Sequence, residues 1–245
     1  MQTKNERITI PVGNSPMGAY VARPADAGTY PGIIVFQEIF GVNHHIRSVA
    51  DRVAAEGYVA IAPELFHRTA PGLEVGYDEA GMQRGIPLMM QAKASEVVAD
   101  AAATIEALQK RPDVVGRGIG AIGFCFGGHV TYLAACELQI AAAASFYGGG
   151  VAVGSPGNEG LPTVERTAKI RGRILCLFGE KDTYIPPAQV EKIRKELERH
   201  RVRHEIVVYP NVGHGFFCEE RGDYSETAAS DAWRRVKDLF RDELR

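Results

Sequence analysis

The chain has 245 residues, of which 45% are apolar and 24% charged, and its formal net charge is -2 at pH 7. These values are typical of one globular domain spanning residues 1–245, and they exclude a strongly basic protein built to bind nucleic acid. No apolar run approaches the roughly 18 residues of a membrane span, and the polar N-terminus is unlike a secretion signal, so we expect a cytoplasmic protein that uses no membrane partner.

The first elements along the chain are two β-rich segments, residues 7–12 and 17–24, which predict an antiparallel hairpin. After the hairpin, short apolar runs alternate with helical patterns. Further strands are predicted at 33–36, 58–65, 119–124, 140–147, 173–179 and 203–210. Helices are predicted at 44–57, 93–112, 127–138, 187–200 and roughly 223–244. Because parallel strands need long crossovers, this order predicts an eight-stranded, mostly parallel α/β sheet with helices on both faces.

One segment, residues 73–91, fits neither pattern. It carries glycine and methionine without a clear period, and it predicts an irregular insertion over a site.

The four cysteines are far apart and form no C-x-x-C pair. Zinc and a disulfide framework are therefore disfavoured, and we expect reduced thiols, no metal and no organic cofactor. Cys136 and Cys176 lie in apolar segments and are predicted to be buried.

Residues 123–128 read GFCFGG, and three interpretations of Cys125 compete. Gly118, Gly120 and Gly123 match the dinucleotide pattern G-x-G-x-x-G, but they lie within the predicted strand and not between a strand and a helix. A buried structural thiol leaves the flanking glycines without a purpose. A nucleophile on a sharp strand-to-helix turn needs small neighbours, since a Cβ there would clash. The last interpretation accounts for the pattern best.

A nucleophile of this kind needs an acid and then a histidine later in the chain. Asp182 and His214 each follow the end of a predicted parallel strand, where open α/β sheets place their sites. Glu180 is an alternative acid. Cys125, Asp182 and His214 are the predicted triad.

With these positions in place, the chain resembles the dienelactone hydrolase (carboxymethylenebutenolidase) family, which has the α/β-hydrolase fold. Besides GFCFGG, the resemblance rests on QEIFGVN at 37–43, PELFHR at 63–68, FYGGG at 146–150, GEKDTYIP at 179–186 and YPNVGHGFF at 209–217.

The resemblance implies hydrolysis of small esters or lactones, with a carboxylate on the substrate and an acyl-thioester intermediate on Cys125. It implies an oxyanion hole from the backbone N–H groups of Ile39 and Phe126. It also implies that Glu38 takes the thiol proton when a ligand binds, although an ordinary ion pair of Glu38 with Arg47 is the alternative. A thiol-dependent acyl transferase or redox protein of the same fold is the competing function.

For substrate binding, the resemblance assigns Arg68 to the carboxylate and Tyr147 to the pocket wall. The family's second arginine, four residues after the histidine, is replaced here by Cys218. Arg221 is a candidate substitute, although arginines at the ends of helices are usually solvated. His44 and His67 are weaker candidates for lining the pocket. We expect a monomer or a small homo-oligomer.

Overall fold

The computed structural model describes residues 1–115 and 118–245. Its centre is one eight-stranded sheet with the order β1-β2-β4-β3-β5-β6-β7-β8. The strands are β1 (Thr3–Ile10), β2 (Met17–Pro24), β3 (Gly32–Phe36), β4 (Val59–Pro63), β5 (Ile119–Phe124), β6 (Ile140–Phe146), β7 (Arg173–Gly179) and β8 (Arg203–Tyr209). The helices are α1 (His44–Ala55), α2 (Glu79–Gln91), α3 (Ala94–Gln109), α4 (Phe126–Glu137), α5 (Pro187–Arg199) and α6 (Glu226–Leu244).

The sheet has the predicted mixture of strand directions. β1 pairs with β2 and β2 with β4 in antiparallel fashion, and all later neighbours are parallel. β3, β4 and β5 are buried at every position, as central parallel strands covered on both faces should be. The prediction of fold class is confirmed.

Helices cover both faces because the strands after β3 are added to the sheet first on one side of β3 and then on the other. β4 lies on one side of β3 and β5 on the other, so right-handed crossovers place α1 on one face and α3, α4 and α5 on the opposite face. The last helix, α6, packs on β5, β6 and β7 and meets α1, where the Arg52 guanidinium lies 4.6 Å from the centre of the Trp233 ring. No helix of the described residues is both long and apolar enough to cross a membrane.

The segment 73–91 differs from its prediction, because residues 79–91 form the helix α2. Gly81, Gly85 and Pro87 lower its intrinsic helix propensity, which is why the local pattern predicted irregular structure. The Asp78 carboxylate caps the helix by accepting the Gly81 N–H at 2.8 Å. Tertiary packing also stabilises the helix. Gly85 lies so close to the Ile39 backbone that a Cβ there would overlap the Ile39 carbonyl oxygen.

Candidate active site

The turn between β5 and α4 holds Cys125 in a strained conformation. Its φ is 53° and its ψ is -114°, a backbone region that residues with a side chain rarely adopt. The Cys125 N–H donates to the Phe146 carbonyl at 3.0 Å, which ties the turn to the neighbouring strand β6. The thiol is half-buried and lies at the N-terminus of α4, where the helix dipole favours negative charge.

Small residues around Cys125 are required by backbone contacts. A Cβ on Gly123 would overlap the Gly127 carbonyl oxygen. A Cβ on Gly127 would overlap the Phe36 carbonyl oxygen at the end of β3, and one on Gly128 would overlap the Phe146 carbonyl oxygen. The GFCFGG pattern thus corresponds to a turn packed directly on the ends of two neighbouring strands.

The loops after β7 and β8 bring an acid and a histidine to this turn. Asp182 Oδ2 lies 2.7 Å from His214 Nδ1, and both side chains are almost fully buried. Asp182 Oδ1 accepts the backbone N–H groups of Tyr184 and Ile185 at 2.9 and 3.2 Å. The carboxylate is therefore fixed by its own loop and in turn orients the imidazole.

The charge on His214 follows from these neighbours. Burial favours the neutral imidazole, but the Cys125 sulfur and the Asp182 carboxylate outweigh burial and raise the pKa of His214 to about 10. The Cys125 sulfur and the His214 ring line the same cavity, and they are close enough for the sulfur to raise this pKa. The sulfur and the Asp182 carboxylate thus both favour the protonated imidazole.

Glu38, two residues past the end of β3, is fully buried and forms an ion pair with Arg221. Arg221 Nη1 donates to Glu38 Oε1 at 3.1 Å, whereas Glu38 Oε2 has no hydrogen-bond partner. The arginine enters beside the histidine loop because Gly215, with φ 83°, leaves room where a Cβ would meet the Arg221 side chain. Arg47, the partner weighed for Glu38 from the sequence, binds Glu74 instead.

A cavity of about 430 Å³ opens at the sulfur. Its lining comes from the loop after β3, helix α2, the cysteine turn, the glycine-rich segment after β6 and the loops after β7 and β8. The lining includes Ile39, Met82, Ile86, Met89, Met90, Cys125, Phe126, Tyr184, His214 and Arg221. Among the described residues, Arg221 is the only lysine or arginine that lines it.

Both predicted oxyanion-hole residues, Ile39 and Phe126, lie at this cavity. Phe126 is the first residue of α4, so its N–H has no acceptor within the helix. Ile39 follows β3, which is the strand next to β5.

Two predicted substrate contacts lie elsewhere. Arg68 donates two hydrogen bonds of 2.7 and 2.8 Å to the buried Asp100 carboxylate and does not line the cavity. Tyr147 is fully buried beneath the site, where its ring meets His214 edge-on with centres 5.0 Å apart. Arg68 was predicted to bind the substrate carboxylate, but its guanidinium is held by Asp100 on α3. Tyr147 was predicted to line the pocket wall, but its side chain is completely buried.

The weaker candidates also lie outside the cavity. His44 is largely exposed and pairs with Glu220 at 2.7 Å. His67 is buried and contacts Asp100 at 3.2 Å. The alternative acid Glu180 accepts the Asn211 N–H and does not contact His214.

Sequence reasoning missed two parts of the site. One is the methionine-bearing face of α2, whose helical spacing was masked by its glycines and proline. The other is Tyr184, which is 64% exposed, lines the cavity and has its ring centre 5.2 Å from that of His214. Its position two residues after the predicted acid was the available signal.

One group of side chains among the described residues has ligand atoms suited to a metal ion. Atoms of Glu38, His45 and Cys218, all buried, lie within 4.8 Å of one another. The Arg221 guanidinium already neutralises the carboxylate, and its positive charge would repel a cation at this distance. The set therefore fits a metal poorly.

The sheet topology and the strained cysteine at a strand-to-helix turn, with a histidine and an acid on later strand ends, are those of the α/β-hydrolase fold. The dienelactone hydrolase family model matches residues 17–244. The chain belongs to the dienelactone hydrolase family.

Individual relatives agree over nearly the whole chain. A Synechocystis sp. protein named "Putative carboxymethylenebutenolidase" is 46% identical over 242 residues, covering 99% of this chain and 98% of the relative. A Bradyrhizobium sp. protein named "Probable 2-oxo-3-(5-oxofuran-2-ylidene)propanoate lactonase" is 29% identical, covering 89% of this chain and 86% of the relative. The crystal structure titled "Putative Dienelactone Hydrolase" from Klebsiella pneumoniae has a TM-score of 0.88 at 34% identity, covering 98% of this chain and 99% of that one.

Proposed function

We propose that the chain hydrolyses small carboxylic esters or lactones with Cys125 as nucleophile, His214 as acid and base, and Asp182 as the group that orients the imidazole. Family membership supports a hydrolase of ester or lactone bonds. The observation that carries the proposal is the strained Cys125 at the start of α4, which lines the same cavity as the His214 ring that is hydrogen-bonded to Asp182.

The first step is attack of the Cys125 thiolate on the carbonyl carbon. The backbone N–H groups of Phe126 and Ile39 would hold the oxygen that becomes negatively charged. Such donors matter because they are oriented before the reaction begins, and losing one typically costs about 2.7–4 kcal/mol in the transition state.

His214 then donates a proton and later accepts one. As the tetrahedral intermediate collapses, the leaving alkoxide takes the imidazolium proton, and a thioester on Cys125 remains. The neutral imidazole next takes a proton from the water that attacks the thioester. The acid product leaves, and the thiolate and imidazolium are restored, so one water is consumed for each ester bond.

Glu38 and Arg221 would link the charge of the substrate to the activation of the thiol. A carboxylate on the substrate would attract the guanidinium away from Glu38. Where Cys125 rests as the neutral thiol, the freed Glu38 carboxylate would accept the thiol proton and form the thiolate that attacks, and this proton would return to the sulfur when the product leaves. This favours carboxylate-bearing substrates, and the name of the Bradyrhizobium relative contains such a group, a propanoate.

Alkylation with iodoacetamide tests the proposal. Cys125 is half-buried and the other three cysteines are buried, so a limiting amount of reagent should label Cys125 first. We expect esterase activity to fall in proportion to the labelled fraction of Cys125, measured by mass spectrometry. A Cys218→Ser variant is the control and should be inactivated equally. Unchanged hydrolysis with Cys125 fully labelled would contradict the proposal.

The products separate the proposed hydrolase from an acyl transferase. A hydrolase releases free acid with water as the only acceptor. A transferase would release acid only slowly until a thiol or amine acceptor is added.

A further inference from the structure

One wall of the cavity is the apolar face of α2. Met82, Ile86, Met89 and Met90 all line the cavity, and their spacing of four, seven and eight residues places them on one side of the helix. The helix thus turns an apolar face towards the reacting sulfur.

Backbone contacts fix the position of this wall. Gly85 packs directly on the carbonyl of Ile39, the residue whose N–H is assigned to the oxyanion hole, and Gly81 packs on the Gly76 carbonyl. The cavity lining also includes Gly149, Gly150 and residues 154–158, none of which carries a large side chain, and residues 156–158 pack against α2. The lining next to α2 therefore leaves space beside its apolar side chains.

Two residues of the face are poorly covered by protein. Ile86 is 41% exposed and Met90 is 64% exposed. Exposed clusters of large apolar side chains usually mark a binding surface. Ile86, Met90 and Cys125 line the same cavity, so a molecule long enough to reach from the sulfur to α2 would cover both exposed side chains.

The size of the cavity and the charge of its lining indicate which kind of ligand it fits. A volume of about 430 Å³ lies within the range of roughly 300–1,000 Å³ that is usual for drug-sized ligands. Among the described lining residues the only lysine or arginine is Arg221, which is paired with Glu38. The α2 end offers methionine, a flexible side chain that adapts to varied apolar shapes.

We propose that α2 forms an apolar subsite for a substituent of several carbons on the ester. This inference rests on the proposed function, since it names the substrate class of the same site. The substituent lies along Met82, Ile86, Met89 and Met90 while the ester carbonyl lies at Cys125. The α2 face thereby selects esters with an alkyl or aryl group of this length over acetates of small alcohols.

Two series of esters test the subsite on the wild-type enzyme. One lengthens the acyl chain of 4-nitrophenyl esters from acetate to octanoate, and the other lengthens the alcohol of alkyl acetates. In one of the two series, kcat/KM should rise with length by up to about fourfold per methylene, the factor that corresponds to ~0.8 kcal/mol per buried CH₂. The series that rises identifies the end of the ester that α2 holds. Values of kcat/KM that are flat or falling in both series would overturn the subsite.

Variants on α2 locate the effect. Ile86→Ser with Met90→Ser should reduce kcat/KM for the longest favoured ester by about tenfold while changing that for the shortest by less than about twofold, because only the long chain reaches the face. Arg84→Ser is the matched control on the exposed side of α2, and it should change neither value. Equal losses on long and short esters in the double variant would overturn the proposal.

Binding without turnover separates the subsite from the chemistry. Calorimetric titration of Cys125→Ala with carboxylates from butanoate to decanoate keeps the head group constant and varies only the tail. Affinity that grows with tail length, and that falls in Ile86→Ser with Met90→Ser, supports the subsite even if no ester is hydrolysed. Affinity independent of tail length overturns the subsite and leaves the proposed function standing.

Discussion

The Cys125 side and the α2 side of the cavity differ in how their residues are held. Cys125 lies in a strained turn whose glycine neighbours touch the carbonyls of β3 and β6, and a hydrogen-bonded carboxylate fixes His214. The α2 face carries flexible apolar side chains, two of them substantially exposed. Reacting atoms tolerate little displacement, whereas apolar contacts with a substrate tolerate a range of shapes. The contrast is what the proposed function and the proposed subsite require, namely fixed reacting groups beside an apolar wall of flexible side chains.

The largest effect is expected from removing the imidazole on the Cys125 side of the cavity. His214→Ala removes both the proton donor and the proton acceptor, and we expect kcat/KM to fall by at least about 10³-fold. Circular dichroism should show an intact fold. His44→Ala is the control, because that ring is exposed and lies outside the cavity. Full activity in folded His214→Ala would mean that a different base acts.

The next largest effect is expected from removing the positive charge of Arg221 at the cavity. Arg221→Gln should reduce kcat/KM for carboxylate-bearing esters about 10- to 100-fold more than for neutral esters, since a charge-assisted hydrogen bond is worth about 1.5–3 kcal/mol. Arg68→Gln should leave this ratio unchanged, because the Arg68 side chain is bound to Asp100 away from the cavity. A ratio that changes only in Arg68→Gln would restore the assignment made from the sequence.

A third change tests whether backbone contacts hold the turn. Gly127→Ala forces a methyl group against the Phe36 carbonyl, and we expect about 1–3 kcal/mol of lost stability from overpacking in chemical denaturation. Gly76→Ala is the matched control, since an added Cβ there meets nothing within 4 Å. Equal stabilities of the two variants would show that the turn is looser than its contacts indicate.

A fourth test varies the pH. The pKa of His214 is raised to about 10, so its protonated form stabilises the folded state most fully below its ordinary unfolded value near 6.5. That contribution is lost as the pH rises from about 6.5 through 10. The difference in unfolding free energy between wild type and His214→Asn should therefore shrink from pH 6 to pH 10. A constant difference would mean that the imidazole gains no proton affinity on folding.

The sequence located the cysteine turn and the Asp182–His214 pair because the requirements of these features are local. Small residues on both sides of Cys125, and an acid and a histidine just past strand ends, can be recognised without knowing the packing. Arg68 and Arg221 could not be told apart in this way, since their roles depend on Asp100 on α3 and on Glu38 after β3. The helix α2 was missed because Gly81, Gly85 and Pro87 disfavour a helix locally, while close packing on Ile39 stabilises it.

The most direct measurement is capture of the acyl group on the sulfur. His214→Asn should still be acylated by a 4-nitrophenyl ester, whose leaving group needs no proton, but it should deacylate slowly. Rapid quenching followed by mass spectrometry should then find one acyl group, attached to the peptide that contains Cys125. Acyl transfer to another residue would contradict the account, and so would turnover by the Cys125→Ala variant.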